Sequence, residues 1–121
     1  SDYVFLFRIN VIGIPTKLKT LLEDSKIIKA GVAVNRDLSD IQKMSKIRPD
    51  NFIDIAEEAK KQQLDNHGLR NLAALILNFR ISKGKRTSNW ERDDLTNGQI
   101  RYAATDAWVS REIYLKISVK R

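Results

Sequence analysis

Arg101-Tyr102-Ala103-Ala104-Thr105-Asp106-Ala107-Trp108 is the stretch from which the rest of the chain is read. Its small residues and the apolar positions after it predict a helix, and 3.6 residues per turn put Tyr102 and Asp106 on one face. A phenol beside a carboxylate can orient a water and bind a cation. The same pair also suits a half-buried core aromatic next to a solvated acid. The pair alone leaves both readings open, so the flanking sequence has to decide.

Upstream, Leu95-Thr96-Asn97-Gly98-Gln99 has the form of a capping box, with Thr96 as N-cap and Gln99 at the third helical position. The helix is therefore predicted from there to about Val119, with Ile100, Ala103, Ala104, Ala107, Ile113 and Ile117 as its apolar face. Lys116, Lys120 and Arg121 suit its carboxyl end. Before the box lies a basic loop, Ser82 to Trp90, in which Lys83, Lys85 and Arg86 are candidate phosphate contacts, with Arg101 on the helix as a fourth. Trp90 reads as a plug onto the core. Leu69, Leu72, Ala73, Leu75, Ile76 and Phe79 predict an apolar core helix.

The amino-terminal half reads as alternating strand and helix. Tyr3-Val4-Phe5-Leu6-Phe7-Arg8-Ile9 is apolar on both faces, as a buried strand of a mostly parallel sheet would be. Pro15 prepares a helix carrying Leu18, Leu21 and Leu22 that ends near Asp24-Ser25. Ile27 to Val34 is a second strand candidate, followed by a short helix through about Met44. Asp37 enters that helix just beyond the strand's carboxyl end, where open α/β sheets bind ligands. It equally suits a helix acid complementing the dipole. Pro49-Asp50-Asn51 is a turn, Phe52 to Ile55 a very short strand, and Ala56 to Gln63 a helix broken at Asp65-Asn66-His67-Gly68. His67 is given no catalytic role.

Composition narrows the chemistry. The 121 residues, 42% hydrophobic and 31% charged, describe one ordinary globular domain with no dividing linker, repeat or apolar run of membrane-spanning length. There is no cysteine and one histidine. Thiolate and imidazole-rich metal sites are excluded, and any cation would be held by carboxylates, which favours Mg²⁺ or Mn²⁺. The absence of cysteine fits a reducing, intracellular compartment, the nucleus if the source is eukaryotic. A net charge of +7 suits a polyanionic partner, although it also serves solubility.

Taken together, Lys29-Ala30-Gly31-Val32-Ala33-Val34-Asn35-Arg36-Asp37, Arg86-Thr87-Ser88-Asn89-Trp90, Leu95-Thr96 and Tyr102-Ala103-Ala104-Thr105-Asp106-Ala107 resemble the DEDDy 3′–5′ exonucleases. The nearest branch is that of the Werner-syndrome exonuclease domain, with ribonuclease D more distant. The resemblance implies a ribonuclease H-like mixed sheet flanked by helices and removal of nucleotides from 3′ ends with two divalent cations. It also implies a partner that is single-stranded or 3′-recessed nucleic acid. Asp37 matches the acid of the second motif. Asp106 matches the last acid, a ligand of the metal that activates the attacking water, and Tyr102 matches the tyrosine that orients that water.

The family's first motif, an Asp-x-Glu on the first strand, has no counterpart, because position 4 after Asp2 is Val. The chain is thus expected to be the carboxyl-terminal portion of one exonuclease domain, with that motif upstream and the fragment alone inactive. A strand edge exposed at Tyr3–Ile9 would invite dimerisation. A non-catalytic nucleic-acid-binding or assembly module on the same fold is the alternative.

Overall fold

The computed structural model describes residues 3–64, 68–81 and 88–119. Contacts group the chain into two units, Phe7–His67 and the union of Ser1–Leu6 with Gly68–Arg121.

The Phe7–His67 unit is built on a strand–helix–strand crossover. Strand β1 (Lys29–Gly31) pairs in parallel with β2 (Phe52–Asp54), in the register Lys29↔Phe52, Ala30↔Ile53 and Gly31↔Asp54. Parallel neighbours need a long connection, and here it contains α3 (Val34–Met44). Two shorter helices precede the sheet, α1 (Ile9–Ile12) and α2 (Thr16–Glu23), the latter starting directly after Pro15 as its fixed φ favours. Helix α4 (Ile55–Lys61) follows β2 without a loop because Asp54 caps it: its Oδ1 accepts from the Ala56 N–H at 2.9 Å. The same oxygen accepts from the Ala33 N–H at 3.3 Å, so one carboxylate fixes both the start of α4 and the turn into α3. That turn is tight. Ala33 takes a left-handed φ of 58°, and a Cβ on Gly31 would come within 2.9 Å of Val34 Cγ1.

In the other unit α5 (Leu69–Leu72) runs into a π-helical turn, Ala73–Leu77, rather than the continuous α-helix the apolar spacing predicts. Leu72 and Ala73 are fully buried, whereas Leu75 and Phe79 are exposed. The extra residue per turn rotates the apolar stripe, so only its first part faces the core. Asn78 ends the turn at a left-handed φ of 53°, and the Phe79 N–H closes it onto the Ala73 carbonyl at 3.1 Å. The long helix α6 (Asn97–Val119) follows as predicted. Val109, Ile113 and Ile117 form its buried stripe, while Ile100 lies on the exposed side.

The predicted strand over Tyr3–Ile9 is corrected. Residues 3–8 carry no regular structure, Ile9 opens α1, and Tyr3, Phe5 and Phe7 are exposed. A strand is stable only where a neighbour satisfies its backbone groups, and among the described residues the sheet contains only β1 and β2. The exposed strand edge expected there is accordingly absent. The second candidate strand is also shorter than Ile27–Val34 suggests, because Gly31 hands the chain to the turn. No helix among the described residues is long and apolar enough to cross a membrane.

Candidate functional site

Helix α6 carries the phenol and carboxylate, and its start is rigidly specified. Thr96 Oγ1 accepts from the Gln99 N–H at 3.1 Å, and Gln99 Oε1 accepts from the Thr96 N–H at 2.9 Å, so both halves of the capping box are made. Gln99 is 2% exposed and its amide does more than cap. Its Nε2 donates to Ser88 Oγ at 3.0 Å and to the Asn89 carbonyl at 2.9 Å. These partners fix which amide atom is oxygen and which nitrogen. They also pin residues 88–89 to the first turn of α6, leaving the Trp90 ring 6.0 Å from that of Tyr102 at a tilt of 51°. Trp90 is therefore half-buried against the candidate phenol rather than in the central core.

Tyr102 and Asp106 lie one turn apart on α6, both half-buried. Ser110, a further turn on and buried, returns its hydroxyl to the Asp106 carbonyl at 2.9 Å. The phenol ring also lines a cavity of about 290 Å³ whose wall includes Arg101 and Thr105 from α6 and Phe79, Arg80 and Ile81 from the segment after the π turn. Arg70 Nε holds that segment by donating to the Ile81 carbonyl at 3.2 Å. Of the sequence candidates, Tyr102, Asp106 and Arg101 thus share one helix, and Arg101 faces the cavity that Tyr102 lines.

Asp37 belongs to the Phe7–His67 unit, in the first turn of α3, where its surface is exposed. Its carboxyl is raised above the ordinary aspartate value, first by partial loss of hydration and then by Asp40 three residues on, with Arg36 opposing. A carboxylate whose charge is disfavoured is one that a bound cation would relieve. Lys83, Lys85, Arg86 and His67 lie outside the described residues. No group of three or more His, Asp or Glu side chains able to hold a metal ion occurs among the described residues. Two dications about 3.5–4 Å apart need more oxygen donors than two carboxylates and a phenol provide, so the residues present do not make a complete two-metal centre.

Sequence reasoning missed the contacts that Gln99 makes beyond its own helix and the pairing of Phe79 with Trp108, whose ring centroids stand 5.8 Å apart edge to face. The first had a visible signal in the Ser88-Asn89-Trp90 stretch just before the box. The second joins residues 29 positions apart and had none.

Comparison with known proteins places the chain among nucleases. Residues 7–120 match the family model described as 3′–5′ exonuclease. Over 118 residues the chain is 33% identical to the mouse bifunctional 3′–5′ exonuclease/ATP-dependent helicase WRN, covering 93% of this chain and 8% of that protein. It is 32% identical over 110 residues to mouse exonuclease 3′–5′ domain-containing protein 2, covering 86% and 17%. Among solved structures, Brucella melitensis NrnC bound to pGG superposes with a TM-score of 0.75 at 25% identity, covering 84% of this chain and 50% of that one. The chain therefore spans a small part of these two curated relatives and half of the solved chain.

Proposed function

The chain belongs to the 3′–5′ exonuclease family, and from that premise we propose that it supplies part of a site hydrolysing phosphodiester bonds from the 3′ ends of nucleic acid. Its fold is accordingly ribonuclease H-like α/β. The observation that carries the proposal is the half-buried Tyr102–Asp106 pair on a helix whose start is locked by Thr96 and Gln99. In this reading Asp106 and Asp37 are carboxylate ligands of hard dications, Mg²⁺ or Mn²⁺. Tyr102 orients the attacking water. Arg101, with Lys83, Lys85 and Arg86, contacts phosphates. NrnC, solved with pGG and also with bound Mg²⁺, lends support to both the polyanionic ligand and the cation.

The donor shortage bears on activity. In this reading a two-metal centre takes further carboxylates beside Asp37 and Asp106, and the 121-residue polypeptide alone is inactive. Incubated with Mn²⁺ and a 3′-labelled oligonucleotide, it should release no nucleotide above background; cleavage abolished by Asp106→Ala would overturn the inactivity. In a longer polypeptide carrying an upstream Asp-x-Glu, Asp106→Ala should lower the rate by about 100-fold or more, several kcal/mol of lost transition-state stabilisation. An unchanged rate there would remove Asp106 from the site.

A further inference from the structure

Helix α3 carries Asp37 in its first turn, and its far end borders a cleft of different chemistry. This cleft, of about 480 Å³, lies wholly within the Phe7–His67 unit. Lys19 and Glu23 of α2 form one wall. The end of α3 and the segment after it supply Gln42, Ser45, Lys46 and Arg48 over the buried Ile47. The walls are tied together. Glu23 Oε2 accepts from the Arg48 N–H at 2.8 Å, the Leu22 carbonyl from the Asp50 N–H at 3.2 Å, and the Ser25 carbonyl from Asn51 Nδ2 at 2.9 Å. Lys19 and Glu23 have the i,i+4 spacing of a helical ion pair, yet that pair is not made, and the carboxylate sits on the Arg48 backbone instead. Among the described residues the side chains of Lys19, Lys46 and Arg48 form no ion pair, and those of Gln42 and Ser45 make no hydrogen bond.

Three cations therefore line the cleft with one acid, and that acid already accepts an N–H. The carboxyl ends of α2 and α3 add about half a negative charge each, which still leaves the cleft positive by about one charge. Ammonium, guanidinium, hydroxyl and amide donors together suit a compact oxyanion with many lone pairs, a phosphate above all. Three cations favour a dianion over a singly charged diester. No aromatic side chain is among the lining residues, so a base or other flat ring finds no stacking face. We infer that this cleft binds a phosphate monoester, with Lys19, Lys46 and Arg48 neutralising the dianion and Ser45 and Gln42 donating to its remaining oxygens. The same chemistry is offered by a free phosphorylated metabolite and by the 5′-phosphate of a nucleic-acid strand. The site stands apart from the exonuclease reading: Ser45 ends α3 about 12 Å along the helix from Asp37, and no cleft residue has a part in the hydrolysis.

Isothermal titration of the 121-residue chain in EDTA tests the site, with inorganic phosphate, ribose 5-phosphate, and a short oligothymidylate with a 5′-phosphate or a 5′-hydroxyl as probes. At least one phosphate monoester should bind with a Kd of about 1 mM or tighter. Lys46→Ala with Arg48→Ala, both exposed, should weaken that binding about 10-fold or more, the worth of one charge-assisted hydrogen bond. Lys43→Ala with Lys61→Ala removes the same charge elsewhere on this unit and should leave it within about twofold. Glu23→Gln keeps an acceptor for the Arg48 N–H, deletes the one acid of the cleft and should tighten binding about threefold. Ribose 5-phosphate binding that falls in the Lys46/Arg48 variant assigns the site to free monoesters. A preference for the 5′-phosphorylated strand that is lost in the same variant assigns it to strand ends. No monoester binding at about 10 mM, unchanged binding in the Lys46/Arg48 variant, or an equal loss in the Lys43/Lys61 variant would overturn the site. None of those results bears on whether the completed domain hydrolyses 3′ ends, which the Asp106→Ala assay decides separately.

Discussion

Replacing Gln99 with Leu tests whether one buried amide holds the candidate site together. Leu fills a similar volume but removes three hydrogen bonds: one from the Thr96 N–H and two to Ser88 and the Asn89 carbonyl. Each typical bond contributes about 1 kcal/mol net, and a buried partner left unsatisfied costs about 1–3 kcal/mol. Ser88 and Thr96 are only half-buried, so water repays part of this. The expected loss is about 2–4 kcal/mol, a large share of a stability of about 5–15 kcal/mol. With a urea m-value of about 1–3 kcal/mol/M, the midpoint should fall by about 1–2 M. The fluorescence of Trp90 should change before global unfolding as it leaves the Tyr102 ring. Thr96→Ala should cost only about 1 kcal/mol, the usual worth of a cap. Gln99→Glu supplies the sharper test. Its carboxylate would face the Asn89 carbonyl, so its folded pKa should lie above the unfolded value of about 4.3. Below the unfolded value both states are protonated and the protonated group can still donate to Asn89. As pH rises through the folded pKa the penalty appears in full, so stability falls. A midpoint shift below about 0.3 M in Gln99→Leu, or a Gln99→Glu stability flat between pH 4 and 7, would refute the reasoning.

Three further outcomes follow from the backbone and the acids of the Phe7–His67 unit. Ala33→Gly should raise stability by about 0.5–1 kcal/mol in urea unfolding, because the left-handed φ costs alanine more than glycine's extra freedom costs the unfolded chain. Asp54→Ala should lower stability by about 1–2 kcal/mol, as the α4 cap and the tie to the Ala33 N–H are lost together, and amide exchange should accelerate at Ala33 and Ala56. Asp37→Asn should be neutral or slightly stabilising at pH 7, within about 0.5 kcal/mol. The raised pKa means that the folded state binds its proton more tightly, so Asp37 disfavours folding once pH rises through that value, and Asn removes the disfavoured charge. A substantial loss of stability at pH 7 in that variant would contradict the sign.

The features that sequence alone determined are those enforced within a turn or two of chain. The capping box at Thr96 and Gln99 specified where α6 begins, because donor and acceptor sit three residues apart and need no other element to meet. Pro15 specified the start of α2. The Tyr102–Asp106 pairing was equally legible, since helical periodicity alone puts the two on one face.

Tertiary structure decided what depends on a distant partner. The Tyr3–Ile9 run has strand composition, yet a strand exists only as a pair, and its sequence could not say whether a neighbour was present. The apolar spacing from Leu69 to Phe79 promised one continuous helix. Instead its second half is a π turn, and Phe79 beyond it is exposed, edge to face with Trp108. Asp54 shows the same division within one residue: its cap on Ala56 is two residues away and readable, whereas its bond to Ala33, 21 residues upstream, arises only because parallel pairing of β1 with β2 brings Gly31 level with Asp54. Short-range hydrogen bonding is encoded by spacing; contacts across the fold depend on which surfaces the whole chain buries together.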